Sequence, residues 1–327
     1  EFKNKKILIT GGTGSIGLGL AKQLMKYEPS TIRVLSNDEN SIFEMKQLFP
    51  KNHILTFMIG DVRDRARLDL AIKNIDIVFH AAAMKHVDIC EQNPFDAVKT
   101  NVIGTSNLLE VSLLEDVTKF ILISTDKATN PTTTLGASKL LAERLTLNAN
   151  SYRGKGRTVF SVVRFGNVIG SRGSVLQIFY HQLRNNLPIT VTDSRMTRFI
   201  MSVSEAASVI LKVTTIAKSG EIYLLKMPSV RIEDLAKEFV DVYKQRFFST
   251  KKDHKITIGK MREHEKLNEQ LITYEELPFC HDANDLYMIS KKHTKNNLPF
   301  SLFNSDTATR ITKKELHKVI NEVLDEF

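Results

Sequence analysis

Ser124-Thr125-Asp126-Lys127 sets two hydroxyls, a carboxylate and an amine in consecutive positions. An adjacent acid and amine tune each other through charge and burial, so such a cluster can both give and take protons. A little further on, Leu135-Gly136-Ala137-Ser138-Lys139 reads as the opening of a helix. Side chains four apart share a helical face, which points residue 135 and the Lys139 amine the same way. The plainer readings are a structural salt bridge for Asp126 and Lys127 and a solvated helix lysine for Lys139.

A second motif says what such a cluster could work beside. Thr10-Gly11-Gly12-Thr13-Gly14-Ser15-Ile16-Gly17 follows an apolar run directly, with glycine at 11, 14 and 17. Between a strand and a helix, this spacing lets the backbone turn tightly and approach a pyrophosphate lying on the helix N-terminus. Gly11, Thr13, Gly14, Ser15, Ile16 and Gly17 are therefore expected to hold a dinucleotide. The next strand should end at the adenosine ribose, where an NAD enzyme usually places an acid. Here it ends Ser36-Asn37-Asp38. Neutral Ser36 leaves room for the extra phosphate of NADP, while Asn37 offers it no charge, so NADP is favoured and NAD stays open. Asp61 and Val62 are placed at the adenine, with Asp61 accepting from its amino group. Ala81, Ala82 and Ala83 are small enough for close approach of the cofactor. Lys139 then falls within reach of the nicotinamide ribose.

Positioning these groups needs a rigid edge, and the chain has the pattern for one. Short apolar runs at 6–10, 32–36, 54–59, 77–80, 120–124 and 159–165 have the length of buried parallel strands, with helical stretches between them. Asn93-Pro94 is the clearest helix start, an N-cap followed by proline at the first helical position. The fold expected is α/β: a Rossmann-like, doubly wound parallel sheet with a smaller C-terminal α/β part for substrate. Residues 1–165 form the dinucleotide-binding domain, with about 199–225 returning to it. Residues 166–327 are mainly substrate-binding and end in a tail.

Bulk properties narrow the partners. The 327 residues are 42% hydrophobic and 25% charged, ordinary for a globular protein. A net charge of +9 is spread along the chain without a nucleic-acid motif, so phosphorylated small molecules are expected rather than nucleic acid. Two distant cysteines, Cys90 and Cys280, lack metal-ligand spacing and suit a reducing cytoplasm; no metal site is expected. The least polar long stretch, 199–217, contains Glu205 and several hydroxyl residues, so no membrane span is expected within these residues.

Taken in order, TGGTGSIG, GDVRD, HAAAMKHVDICEQNP, KTNVIGT, ISTDKATNP, LGASK, RFGNVIGSRGSV and MTRF cover most of the chain. With MREHEKLNEQL and the tail NSDTATRITKKEL, they resemble the inverting UDP-N-acetylglucosamine 4,6-dehydratases. These are extended short-chain dehydrogenases of capsule, flagellin-glycan and lipopolysaccharide synthesis. The resemblance implies oxidation at sugar C-4, loss of the C-5 proton with departure of water from C-6, hydride return to C-6, and reprotonation of C-5 from the opposite face. It implies Lys127 as the base at C-5 and Asp126 as the acid for the leaving hydroxyl. Thr125 would bond the C-4 hydroxyl, and Lys139 is the lysine of a Y-x-x-x-K pair. Lys85, His86, Asn101, Asn167, Arg172, Val175, Thr190, Arg198, Arg262 and Glu265 fall at positions lining a UDP-sugar or its diphosphate. A homo-oligomer is implied as well.

Three positions depart from that pattern. Leu135 stands where tyrosine usually takes the C-4 hydroxyl proton, and leucine cannot transfer one. His264 replaces a glycine, which implies a different loop conformation there. Asn37 replaces an arginine. The rival readings are a nucleotide-sugar 4-epimerase, which needs no C-5 base, and a non-catalytic NAD(P)-binding regulator, which the loss of tyrosine would suit.

Overall fold

The computed structural model describes residues 1–50, 52–152, 154, 156–247, 255–291 and 298–325. The six expected strands are present, each within one residue at either end: β1 (Lys6–Thr10), β2 (Thr31–Ser36), β3 (Leu55–Ile59), β4 (Ile77–His80), β5 (Lys119–Thr125) and β6 (Val159–Phe165). They pair in parallel in the order β3-β2-β1-β4-β5-β6, so the sheet is doubly wound and reverses direction between β1 and β4. Such a reversal opens a crevice at the carboxyl ends of the strands. Thr10 lies level with His80 and Thr125 with Phe165, which gathers the polar strand ends on that one edge.

Burial on both faces explains the uninterrupted apolar runs. Ile7, Leu8, Ile9, Ile77, Val78 and Phe79 are fully buried. Helix α1 (Ser15–Leu24) packs against the helix Val203–Ile216, and the helix Thr134–Tyr152 packs on β5 and β6. Proline opens the short helix Pro94–Ala97 as its fixed φ favours, but Asn93 does not cap it. The Asn93 amide instead donates back to the Ile89 carbonyl at 3.0 Å.

Beyond β6 the chain leaves the sheet and re-enters it. Ile222–Leu225 adds in parallel beside β6, and Leu286–Ile289 and Cys280–Ala283 follow as two antiparallel strands. Segments before, between and after these returns form a second apolar cluster, including Leu176, Phe179, Phe239, Leu316 and Ile320, carried largely on three helices. Thr197–Ser202 joins the clusters, because successive strand side chains point to opposite faces. Phe199 and Met201 belong to the first cluster, Ile200 to the second. Among the described residues no helix is long and apolar enough to cross a membrane.

Candidate active site

The glycine turn between β1 and α1 shapes one end of a cavity of about 940 Å³. Gly11 has φ +63°, and a Cβ there would sit 2.7 Å from the Ala82 backbone. A Cβ on Gly17 would come within 2.5 Å of the Gly12 Cα. Neither position tolerates a side chain, so turn and helix start lie against each other. No side chain caps α1, whose Gly14 cap residue is extended; the first-turn N–H groups are free for an anion. Gly11, Thr13, Gly14, Ser15, Ile16, Gly17, Ser36, Asn37, Asp38, Asp61, Val62 and Ala81 to Ala83 all line the cavity. This cradle fits a dinucleotide.

At the end of β2 the Ser36 and Thr13 hydroxyls are 2.8 Å apart, and Ser36 Oγ accepts from the Asp38 amide at 3.2 Å. Asp38 caps the helix α2 (Glu39–Leu48), and its bonds from Ser41 hold its carboxyl below the usual range. Asp61 takes the Arg63 guanidinium at 2.9 and 2.7 Å and the Asn37 amide at 3.2 Å; the Arg63 bonds dominate in depressing its pKa. Arg172 lines the same cavity. Its backbone N–H donates to Ser15 Oγ at 3.0 Å, and its guanidinium reaches Ser41 Oγ at 3.1 Å and Glu44 at 3.4 Å. Arg172 therefore lies where α1 and α2 begin, because its loop crosses over the glycine turn.

The acid–base cluster occupies the end of β5. Asp126 is fully buried behind the wall; its Oδ1 accepts from Thr125 Oγ1 at 3.0 Å and from Lys127 Nζ at 3.0 Å. Thr125 and Lys127 line the cavity, and Asp126 communicates with it through them. Burial disfavours the Lys127 ammonium, but Asp126 and then Glu269 outweigh that and hold its pKa above the ordinary lysine value. Lys139 donates to the Ile123 carbonyl at 2.7 Å, and burial lowers its pKa to about 8. Leu135 shares this wall and packs with Cys90 and Ala97. Beneath the cluster, Arg164 is buried and forks onto Glu143 (3.0 and 2.6 Å) and Glu276 (2.8 and 3.0 Å), while Ser124 donates to Glu143 at 2.6 Å.

The opposite wall carries Lys85, His86, Asn167, Val175 and Arg198. Asn167 Oδ1 and Ser174 Oγ are buried with no partner among the described residues, as groups awaiting a polar ligand would be. Arg198 is oriented by the Thr197, Leu267 and Lys266 carbonyls at 2.7, 3.1 and 2.9 Å. Four expected substrate residues are not on the cavity wall. Asn101 is buried, spending its amide on both backbone groups of Met84 and on Ser138, so it shapes the wall from behind. Thr190 is exposed on the short strand Ile189–Val191, and Arg262 is exposed with its backbone N–H bonded to Glu265. Glu265 lies 3.9 Å from Arg198 and acts on the wall only through it. His264 has φ +62°, so the loop keeps the left-handed turn that glycine favours, contrary to the change expected from losing it.

Sequence reading missed Glu269, buried 3.7 Å from the Lys127 amine, and the Arg164 network. The Lys127–Glu269 and Arg164–Glu276 pairs each join residues more than a hundred positions apart, and no local pattern signals that.

The chain matches the family described as polysaccharide biosynthesis proteins over residues 7–291. A protein of Methanocaldococcus jannaschii, named an uncharacterized membrane protein, is 49% identical over 98% of this chain and 97% of its own. An inverting UDP-N-acetylglucosamine 4,6-dehydratase of Campylobacter jejuni is 40% identical over 88% and 84%. A Rickettsia rickettsii protein named UDP-glucose 4-epimerase is 37% identical over 88% and 83%. The crystal structure of Pen from Bacillus thuringiensis superposes with a TM-score of 0.92 at 38% identity, covering 98% of each chain.

Proposed function

Because this chain belongs to the polysaccharide biosynthesis protein family, within the extended short-chain dehydrogenases, we propose that it is a UDP-N-acetylglucosamine 4,6-dehydratase that inverts C-5. The observation that carries the reading is Lys127 on the wall of the cavity that the glycine turn shapes, paired with Asp126. A bound nicotinamide dinucleotide would supply reversible hydride acceptance. In this reading residues 1–165 with 199–225 hold it, and the later segments hold the UDP-sugar.

The protein's own groups divide the proton work. The Thr125 hydroxyl takes the C-4 hydroxyl proton and passes its own to Asp126, a route open although Leu135 cannot act. The ketone formed at C-4 acidifies the C-5 hydrogen, which Lys127 removes once it is a neutral amine. Asp126 then returns its proton, through Thr125, to the hydroxyl leaving C-6. Lys139 orients the ribose, while Asn167, Ser174 and Arg198 bind polar parts of the substrate.

Incubation with UDP-N-acetylglucosamine in heavy water tests this directly. The expected product is lighter by one water before isotope is counted, and carries deuterium at C-5. A product of unchanged mass would favour the 4-epimerase, which the Rickettsia relative's name suggests but for which a C-5 base has no use. Cofactor binding with no turnover of any UDP-sugar would favour the regulator.

NADP is the cofactor favoured, from neutral Ser36 at the end of β2. Asn37→Arg would place a cation beside the adenosine ribose. It is expected to raise affinity for NADP relative to NAD about tenfold, as read by calorimetric titration of both. Exposed Phe95, Val98 and Leu141, on neighbouring helical segments, form the apolar surface that a homo-oligomer would cover.

A further inference from the structure

Glu269 is 3% exposed on a segment that runs past the end of β5. Its backbone is fixed on both sides of Ser305: the Glu269 N–H donates to Ser305 Oγ and the Ser305 N–H donates to the Glu269 carbonyl, each at 2.9 Å. The carboxyl group thus has a set position, with Oε1 3.7 Å from Lys127 Nζ. Its Oε2 is buried with no partner among the described residues, and so is Oδ2 of Asp126. Two carboxyl groups therefore share one amine, each with an oxygen that nothing else satisfies. The other charges facing Glu269 are Arg198 from the strand Thr197–Ser202 and Lys266 from its own segment. Arg198 is already held by three carbonyls, and Lys266 by the Thr129 carbonyl at 2.9 Å. Lys127 faces Asp126, Glu269, Arg198 and Lys266.

We propose that Glu269 is a positioning residue of the acid–base centre: its buried carboxylate holds a proton on Lys127 and so sets the pH above which that amine can accept the C-5 proton. This deepens the dehydratase reading and rests on it. A negative charge at this distance, away from water, stabilises the ammonium far more than a surface pair would. Burial works the other way on Glu269, raising its pKa, with Lys127 opposing. As pH rises, the ammonium loses its proton to solvent. The amine lone pair then bonds the C-5 proton, and the C–H electron pair becomes the C-5–C-6 double bond. The C-6 hydroxyl leaves as water with the proton returned by Asp126.

Glu269→Gln preserves volume and removes the charge. In the whole protein loaded with dinucleotide and given UDP-N-acetylglucosamine, the rate of deuterium entry at C-5 is read against pH. Its rising limb is expected to move to lower pH, with the rate at pH 7 increasing at least about tenfold. Reduction of the dinucleotide, followed by absorbance in the same reaction, should stay within about twofold. Glu269→Asp keeps the charge but draws it back, so its limb should fall between wild type and Glu269→Gln. It serves alone if the glutamine variant does not fold. Titration of the labelled Lys127 amine by NMR, assigned with Lys127→Arg, should show the same order without any turnover. An unmoved limb and amine titration, or equal loss of both steps, overturns the proposal. A wild-type protein that turns over no UDP-N-acetylglucosamine overturns the dehydratase reading instead, while the amine titration still judges Glu269.

Discussion

Lys127→Arg is expected to slow removal of the C-5 proton roughly 10²–10⁴-fold, the usual contribution of a positioned acid or base. Arginine keeps a cation between Asp126 and Glu269, so neither carboxyl group is stranded and the fold should persist. What it loses is a form without the extra proton, since a guanidinium does not give it up in proteins. The two halves of the reaction should therefore separate. Deuterium entry at C-5, followed by mass spectrometry, should nearly vanish, whereas reduction of the dinucleotide by substrate continues to a plateau. Loss of both at once would mean that Lys127 serves binding rather than proton transfer.

The second large effect concerns stability. Arg164→Met should cost about 3–5 kcal/mol, because it leaves Glu143 and Glu276 buried and facing each other without a cation. In a chain of 327 residues that lowers the melting temperature by roughly 4–7 °C. The pH dependence should also change sign. In the wild type, burial would raise the Glu276 carboxyl but Arg164 outweighs it and holds it below the ordinary value. A depressed carboxyl stabilises the fold above the unfolded pKa, and that contribution fades as pH falls through the folded one. Without Arg164, burial at Glu276 is opposed only by the Thr273 backbone N–H and by Arg144, so the Glu276 carboxyl should bind a proton more readily when folded and mild acid should stabilise the variant. Thermal melts between pH 4 and 7 would read the reversal. Parallel curves would show that the arginine is not what depresses the Glu276 carboxyl.

The sheet was legible in the sequence because its strands are buried on both faces. Nothing polar interrupts Ile7 to Ile9 or Ile77 to Phe79, and glycines punctuate where the backbone must turn. The antiparallel pair at the edge was not legible. Cys280–Ala283 is half polar, and its partner is too short to stand out from neighbouring loops. In the site, residues of the turn after β1, the end of β5 and the helix from Thr134 line one cavity, since each is held by a regular element. Asn101 lies behind the wall for a different reason. What a long side chain meets is decided by the loop or wall around it, and sequence order does not specify that.

The returns of the chain to its large sheet also govern when the site can come into being. Arg164 and Glu276 lie 112 residues apart, and Glu269 stands farther still from Lys127. During synthesis, the turn at Gly11–Gly17 and its neighbouring strands emerge early and can begin to pair. The second acid on each cation, Glu269 for Lys127 and Glu276 for Arg164, emerges only near the far end of the chain. A nascent chain halted before them would hold Lys127 with Asp126 alone and Arg164 with Glu143 alone. Closing these distant pairs comes late and slowly, as non-local contacts do. The capacity to capture a dinucleotide should thus precede, on the ribosome and in refolding, the capacity to transfer a proton.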